Sequence, residues 1–381
     1  MAKRVRLVIL YSYNENWIGG TYYIQNLILA LNKVDDTFKP QLLIAAGSDA
    51  EYQALAALTR YPYIQQIQLH IKHGIIVRAL NKLSRKLFKK NMISTSFSKY
   101  DLRFQTVPEF KHEIKKSVLY WIPDFQEHYL PDFFSTEEVE LRKGIQAGVA
   151  STGKYILFSS ESARADFNRF YPANKLRQFV LNFAVTHSSS SELAIEDLLR
   201  KYDLPSDYFI CCNQFWIHKN HQIVMQAVHK LKKQGKSVLM VFTGKEFDHR
   251  FPDHFLLLRN TCTELEIDEN IRFLGFIARE EQLCLIRHAR AVVQPSLFEG
   301  WSTVVEDAKA LNAKIIASAI DVHHEQLEEY DQKLYFDPYN ANELATCMLT
   351  EISTSNFDYE KCIIKYGCGF IEIVDSLMAS N

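Results

Sequence analysis

The sequence predicts an α/β protein of two domains, and three observations carry that expectation. At 381 residues and 47% hydrophobic content, the chain is too long for one ordinary core. Short apolar runs alternate with amphipathic stretches along its length, the pattern of parallel strands joined by helices. Between Val185 and Asp207 the run THSSSSE and an isolated helix closing near Leu204–Pro205 read as a domain junction.

In the first half, Arg4 to Leu10 reads as the opening strand. MAKRVRLVILYSYNENW has the look of a secretory head, but its apolar run is short and no small-residue cleavage site follows. Tyr11 to Ile18 is a polar, aromatic loop. Gly19–Gly20 precede a helix expected from Tyr22 to Leu31; glycines there let backbone N–H groups approach an anion, although a tight turn explains them equally well. The full G-x-G-x-x-G pattern is absent, so nothing favours a dinucleotide. Gln41 to Ala46 is a second strand. Residues 70–90 form a basic amphipathic stretch, with Ile76, Leu80, Leu83 and Leu87 in one stripe and Arg78, Lys82, Arg85, Lys86, Lys89 and Lys90 mostly off it. Such a helix suits an anionic membrane or acceptor, or packs its leucines on a sheet like any surface helix. Ser117 to Ile122 is a buried strand ending at Pro123–Asp124, before the aromatic FQEHYLPDFF. Lys154 to Phe158 is another strand, and Ser159–Ser162 cap a helix running through Phe170.

In the second half, Tyr208 to Asn213 opens a new sheet. The loop Gln214 to Asn220 leads into a helix from His221 to Lys232 and mirrors the Gly19–Gly20 loop. A cation there, Lys219, across from Gly19–Gly20, is what a diphosphate needs, though a lysine before a helix is often only solvated. Val238 to Thr243 is a strand turning at Gly244–Lys245, Ile271 to Gly275 another, and Glu280 to His288 a helix.

The most informative stretch is ARAVVQPSLFEGWSTVVEDAKALNAKIIASAID, from Ala289 to Asp321. Ala291 to Val293 is strand-like, Glu299 and Gly300 lie in a loop, Ser302 or Thr303 caps a helix reaching about Leu311, and Lys314 to Ala317 is strand-like again. Ligands of open parallel sheets bind at the carboxyl ends of the strands. Glu299 at that edge and Glu306 on the following helix are expected to face one crevice, each able to take a pair of hydroxyls. A solvated turn and helix-dipole complementation are the plain alternatives. Beyond it, His323 to Leu327 is a turn or short helix, Leu334 to Phe336 an edge strand, and Ala341 to Ile352 and Tyr359 to Met378 are helices.

PSLFEGWSTVVEDAKAL resembles the donor-site signature of retaining glycosyltransferases of the GT-B architecture, family 4. Glu299 matches its first glutamate, Gly300 the next glycine, Trp301 the aromatic and Glu306 the second glutamate. Ser302 replaces a second glycine, and the glutamates stand seven apart where the usual pattern has eight. Further matches lie in Tyr208–Asn220 and Asn270–Gly275, and in layout the likeness spans nearly the whole chain. It implies two Rossmann-like domains facing across a cleft: residues 1–185, completed by a C-terminal helix at about 360–381, and a donor domain at 205–359. It implies a sugar moved with retention from a nucleotide-sugar, GDP- or UDP-linked, to a glycan or lipid-linked saccharide, in bacterial surface polysaccharide assembly and without a metal.

By the same resemblance Lys219, Glu299 and Asp124 serve the chemistry. Gly19, Gly20, Gln214, Gly244, Lys245, Gly300, Trp301, Ser302, Thr303 and Glu306 line the donor site, with Asp124, His128 and Ser160 toward the acceptor. Pro123 stands where the family has a histidine, leaving Asp124 or His128 to fill the role, and Gln214 stands where it has an arginine, leaving Lys219 or Lys245 to compensate. These departures keep two rivals in view, a catalytically silent module in a complex and a nucleotide-sugar epimerase.

Charge is balanced, 44 basic against 45 acidic residues, which argues against a nucleic-acid partner. Seven scattered cysteines form no metal motif and suit a reducing compartment. No run of apolar residues is long enough to span a bilayer. Together these place the protein in the cytoplasm, at the inner membrane face if residues 70–90 meet lipid.

Overall fold

The computed structural model describes residues 4–14, 18–67, 101–106, 118–187 and 193–379. The basic stretch at 70–90 lies outside them. The strands are β1 (Arg6–Tyr11), β2 (Gln41–Ala46), β3 (Ile64–Gln66), β4 (Leu102–Thr106), β5 (Val118–Ile122), β6 (Tyr155–Phe158), β7 (Arg177–Val180), β8 (Phe209–Cys211), β9 (Met240–Phe242), β10 (Ile271–Phe273), β11 (Ala291–Gln294), β12 (Ile315–Ser318) and β13 (Lys333–Phe336). The helices are α1 (Ile18–Leu31), α2 (Asp49–Thr59), α3 (Gln126–Tyr129), α4 (Thr136–Thr152), α5 (Glu161–Phe170), α6 (Ile195–Lys201), α7 (His221–Lys233), α8 (His254–Glu264), α9 (Arg279–His288), α10 (Thr303–Ala310), α11 (Asp321–Gln326), α12 (Ala341–Leu349) and α13 (Glu360–Met378).

Two wholly parallel sheets result, ordered β3-β2-β1-β4-β5-β6-β7 and β10-β9-β8-β11-β12-β13. This is the two-sheet, helix-flanked GT-B architecture. Parallel strands covered on both faces read as unbroken apolar runs, and all residues of VLYWI in β5 and YILF in β6 are buried. Strand order reverses between β1 and β4 in the first sheet and between β8 and β11 in the second. The loops leaving β1, β8 and β11 therefore open at the switch points, where a crevice forms, and the loop leaving β5 lies one strand further along the first sheet.

The start of α1 departs from the sequence reading. α1 begins at Ile18, so Gly19 and Gly20 lie inside its first turn rather than ahead of it.

The last helix belongs to the first core. Ile363, Tyr366, Phe370, Ile373, Val374 and Leu377 of α13 are buried in one cluster with Leu27, Leu31 and the β1 side chains. Gly367 is where α13 meets α1, because a Cβ there would stand 2.6 Å from the Ala30 carbonyl oxygen. Among the described residues, no helix is long and apolar enough to cross a membrane.

Candidate functional site

A cleft of about 370 Å³ lies where the carboxyl ends of the two sheets meet. From the first unit, Gly19 and Gly20 in the first turn of α1, and Asp124 after β5, line it. A Cβ at Gly19 would meet nothing within 4 Å, so that turn presents open backbone beside the cleft. From the second unit come Gln214 and Lys219 after β8, Gly244 after β9, and Glu299, Gly300, Trp301, Ser302 and Thr303 after β11.

Lys219 and Glu299 meet here. Lys219 Nζ donates to Glu299 Oε1 at 2.6 Å, and the same oxygen accepts from Ser296 Oγ at 2.7 Å and Gln294 Nε2 at 2.8 Å. Asn213 Nδ2 donates to Gln294 Oε1 at 3.0 Å, so the ends of β8 and β11 together hold the carboxylate. Both loops are tied by Leu297 N to His218 O at 2.8 Å. Asn220 lets the chain turn into α7 at φ +55°, a left-handed conformation that asparagine tolerates. Burial pushes the Glu299 carboxyl up, but Lys219 more than offsets it, and the group sits below the ordinary glutamate value. It is ionised at neutral pH. The stability it contributes is present above the ordinary carboxylate range and lost as the pH falls through it.

Gly300 is required by a close approach between units. A Cβ there would lie 2.2 Å from the Pro123 carbonyl oxygen. Gly300→Ala is expected to cost about 1–3 kcal/mol of stability by forcing the β5 and β11 loops apart. Thermal denaturation checks it, and an unchanged Tm would mean that the loops do not meet. Trp301 Nε1 donates to Phe183 O at 3.1 Å, a second tie between the units, and Ser302 Oγ caps α10 by accepting from Val305 N.

Asp124 Oδ1 accepts from Gln126 N at 3.3 Å. Burial lifts its carboxyl above the usual aspartate value; Arg142 offsets part of this and Glu127 adds to it. A raised folded value means that the group favours folding most below its unfolded value, and that this contribution fades as pH rises through the folded one. Asp124→Asn is therefore expected to raise Tm at pH 7–8, with the gain vanishing near about pH 4, while slowing turnover. A lower Tm at pH 8 would show that the ionised carboxylate is satisfied rather than penalised.

Four expected site residues lie elsewhere. His128 stacks on Phe170 at 3.9 Å and bonds Gln146 Oε1 at 3.0 Å, packed beside the buried Glu127 instead of lining the cleft. Ser160 is buried as the N-cap of α5, accepting from Ala163 N at 3.0 Å; its neighbour Ser159 lines the cleft and accepts from Trp121 Nε1 at 2.9 Å. Lys245 is not among the cleft-lining residues.

Glu306 is the largest correction. Its carboxylate is 1% exposed and committed to an internal network. Oε1 accepts from Lys309 Nζ at 3.0 Å and Gln326 Nε2 at 2.8 Å, and Oε2 from Tyr359 Oη at 2.5 Å. Asp307, one residue on, lines the cleft in its place. Counting eight from Glu299 lands on Asp307, so the usual spacing is kept with aspartate in the second position. Its Oδ1 accepts from Arg279 Nη2 and pairs with His187 Nε2 at 2.9 Å, while Oδ2 is buried without a hydrogen-bond partner. Burial raises the Asp307 carboxyl, and Arg279 and His187 more than offset the rise, leaving it below the ordinary value.

Arg279 went unread in the sequence, where REEQ looks like any helix start. Among the described residues lining the cleft, Lys219 and Arg279 are the lysine and arginine cations. Also among the described residues, no three His, Cys, Asp or Glu side chains gather in a way that could hold a metal ion.

Comparison with known proteins agrees with this geometry. Residues 197–365 match the family described as glycosyl transferases group 1. The O-antigen chain mannosyltransferase RfbU of Salmonella typhimurium is 25% identical over 218 residues, covering 57% of this chain and 56% of that protein, so the match spans little over half of that relative's length. Among solved structures, Anabaena HepE in complex with UDP and glucose superposes with a TM-score of 0.62 at 14% identity, covering 99% of this chain and 98% of that one. A glycosyltransferase from Rickettsia africae gives 0.60 at 14% identity over 98% and 96%, and sucrose-phosphate synthase from Thermosynechococcus elongatus 0.61 at 15% over 98% and 95%. At such identities the likeness to these structures is one of fold. The chain has the GT-B fold, and residues 197–365, under half of its length, resemble the glycosyl transferases group 1 family.

Proposed function

We propose that the protein is a retaining glycosyltransferase that moves a sugar from a nucleotide-sugar to a saccharide or lipid-linked saccharide. The observation that carries this reading is the cleft itself. Two cations, Lys219 and Arg279, the glycine turn of α1 and the carboxylates of Asp124, Glu299 and Asp307 converge between the two parallel sheets. HepE was crystallised with UDP and glucose, and with UDP-glucose, on the same fold, which supports a nucleotide-sugar donor. RfbU's description supports a place in surface polysaccharide assembly. The proposed domain division is 1–185 with 360–381, and 205–359.

In this reading Lys219 and the Gly19–Gly20 turn meet the charge that builds on the departing diphosphate, which is transition-state electrostatics and asks for no metal ion. Glu299 takes hydroxyls of the transferred sugar, and Asp307 takes the ribose in place of Glu306. Gln214, Gly244, Trp301, Ser302 and Thr303 wall the donor, and Asp124 faces the acceptor. The bond from the anomeric carbon to the diphosphate breaks on the face where the acceptor oxygen bonds. The acceptor proton passes to the leaving diphosphate, so no covalent enzyme intermediate is required.

A thermal-shift screen over UDP-, GDP- and ADP-sugars tests the donor, since a ligand that binds only the folded state raises Tm. Nucleotide release that requires an added saccharide acceptor then identifies transfer. No shift with any nucleotide-sugar would overturn the reading in favour of a silent module, the alternative that Pro123 at the histidine position supports. Nucleotide-sugar conversion without acceptor would favour an epimerase.

A further inference from the structure

Asp307 is held from two other parts of the chain. Arg279 reaches it from the first turn of α9, and His187 from the segment leaving the first unit. Arg279 is itself fixed, because Nη1 donates to Gln282 Oε1 at 2.8 Å and Gln282 Nε2 donates to Thr243 Oγ1 at 3.1 Å. Its guanidinium lies 5.1 Å from the centroid of the Tyr22 ring on α1. Both partners load Oδ1, whereas Oδ2 is buried and unpartnered on a residue that lines the cleft. An unpaired buried acceptor is costly. An ionised carboxylate only accepts, so the missing partner is an O–H or N–H donor.

Resting on the donor reading above, we propose that Arg279 and His187 are positioning residues for the nucleotide ribose. By occupying one oxygen of Asp307 they fix its orientation and reserve the other for a ribose hydroxyl. A single free oxygen suits a hydroxyl better than guanine, whose adjacent N–H donors call for both. Tyr22 belongs to the first unit, His187 to the segment leaving it, and Asp307 and Arg279 to the second. Ribose recognition is therefore tied to the contacts that join the two units.

The test is calorimetric titration of the full chain with UDP, GDP and their 2′-deoxy analogues. The wild type is expected to prefer the ribonucleotide about tenfold, the weight of one charge-assisted hydrogen bond. His187→Ala and Arg279→Ala should bring the ratio close to one. His187→Gln, whose amide can still donate to Oδ1, should keep most of it. A ratio unchanged in both alanine variants would overturn the proposal. Equal weakening of both nucleotides by Arg279→Ala would overturn it too, by making that residue a phosphate ligand. If Arg279→Ala does not fold, the His187 pair of variants decides. Equal binding of UDP and deoxy-UDP by the wild type removes this inference alone, whereas no binding of any nucleoside diphosphate removes the donor reading beneath it.

Discussion

Lys219→Ala is expected to lose both turnover and stability, and the two losses have separable causes. The turnover loss, about a hundred- to a thousandfold, is that of one charged group aimed at the leaving diphosphate. The stability loss, about 3–5 kcal/mol, comes from stranding a buried Glu299 without its counter-ion. The pair is well shielded, the two side chains being 15% and 9% exposed, so solvent screens it little. Adding Glu299→Gln to Lys219→Ala removes the stranded charge and should restore much of the Tm, while transfer stays lost. Measuring Tm and donor turnover on the single and double variants checks both parts. Full activity in Lys219→Ala would end its assignment to the diphosphate. A double variant no more stable than the single would show that charge stranding is not the cause.

Glu306 and Asp307 are adjacent acids for which opposite phenotypes are expected. Glu306→Ala removes the acceptor of Lys309, Gln326 and Tyr359 at once and leaves a lysine that is 8% exposed without its counter-ion. About 3–5 kcal/mol of stability should go, with the donor KM of the surviving folded enzyme little changed. Asp307→Asn keeps the shape and loses the charge. It should raise the donor KM about tenfold or more through the weakened hydroxyl contact, with kcat affected less. Chemical denaturation alongside donor KM decides the matter. If Glu306→Ala raised KM while Asp307→Asn did not, the ribose would belong to Glu306 after all.

The difference between those two residues explains what the sequence made legible. Runs such as VLYWI, YILF and VVQ announce buried parallel strands because both faces are covered, and the segments after them bring Asp124, Ser159 and Glu299 to the cleft. Adjacent positions on a helix, by contrast, point about 100° apart, so which acid of Glu306–Asp307 faces the cleft is a matter of helix phase. That phase is set by Ser302, whose hydroxyl caps α10, and by Gln326, which bonds the Ser302 backbone and Glu306. His128 was misplaced for a related reason: the short helix α3 turns it toward Gln146 and Phe170, partners far along the chain. Lys245 follows Gly244 in sequence, but only the glycine reaches the cleft wall. Arg279 gave no local signal because its role arises from Asp307, Gln282 and Tyr22, which meet only in the folded chain.

The burial of α13 in the first core bears on how this molecule is made. While the ribosome is still translating, β1 to β7 emerge early, yet seven buried apolar side chains of their core arrive only with residues 363–377. β8 to β13 form an unbroken segment, free to settle as soon as it leaves the exit tunnel. The half synthesised first is thus finished after the second, with its greasy seam waiting on residues 363–377.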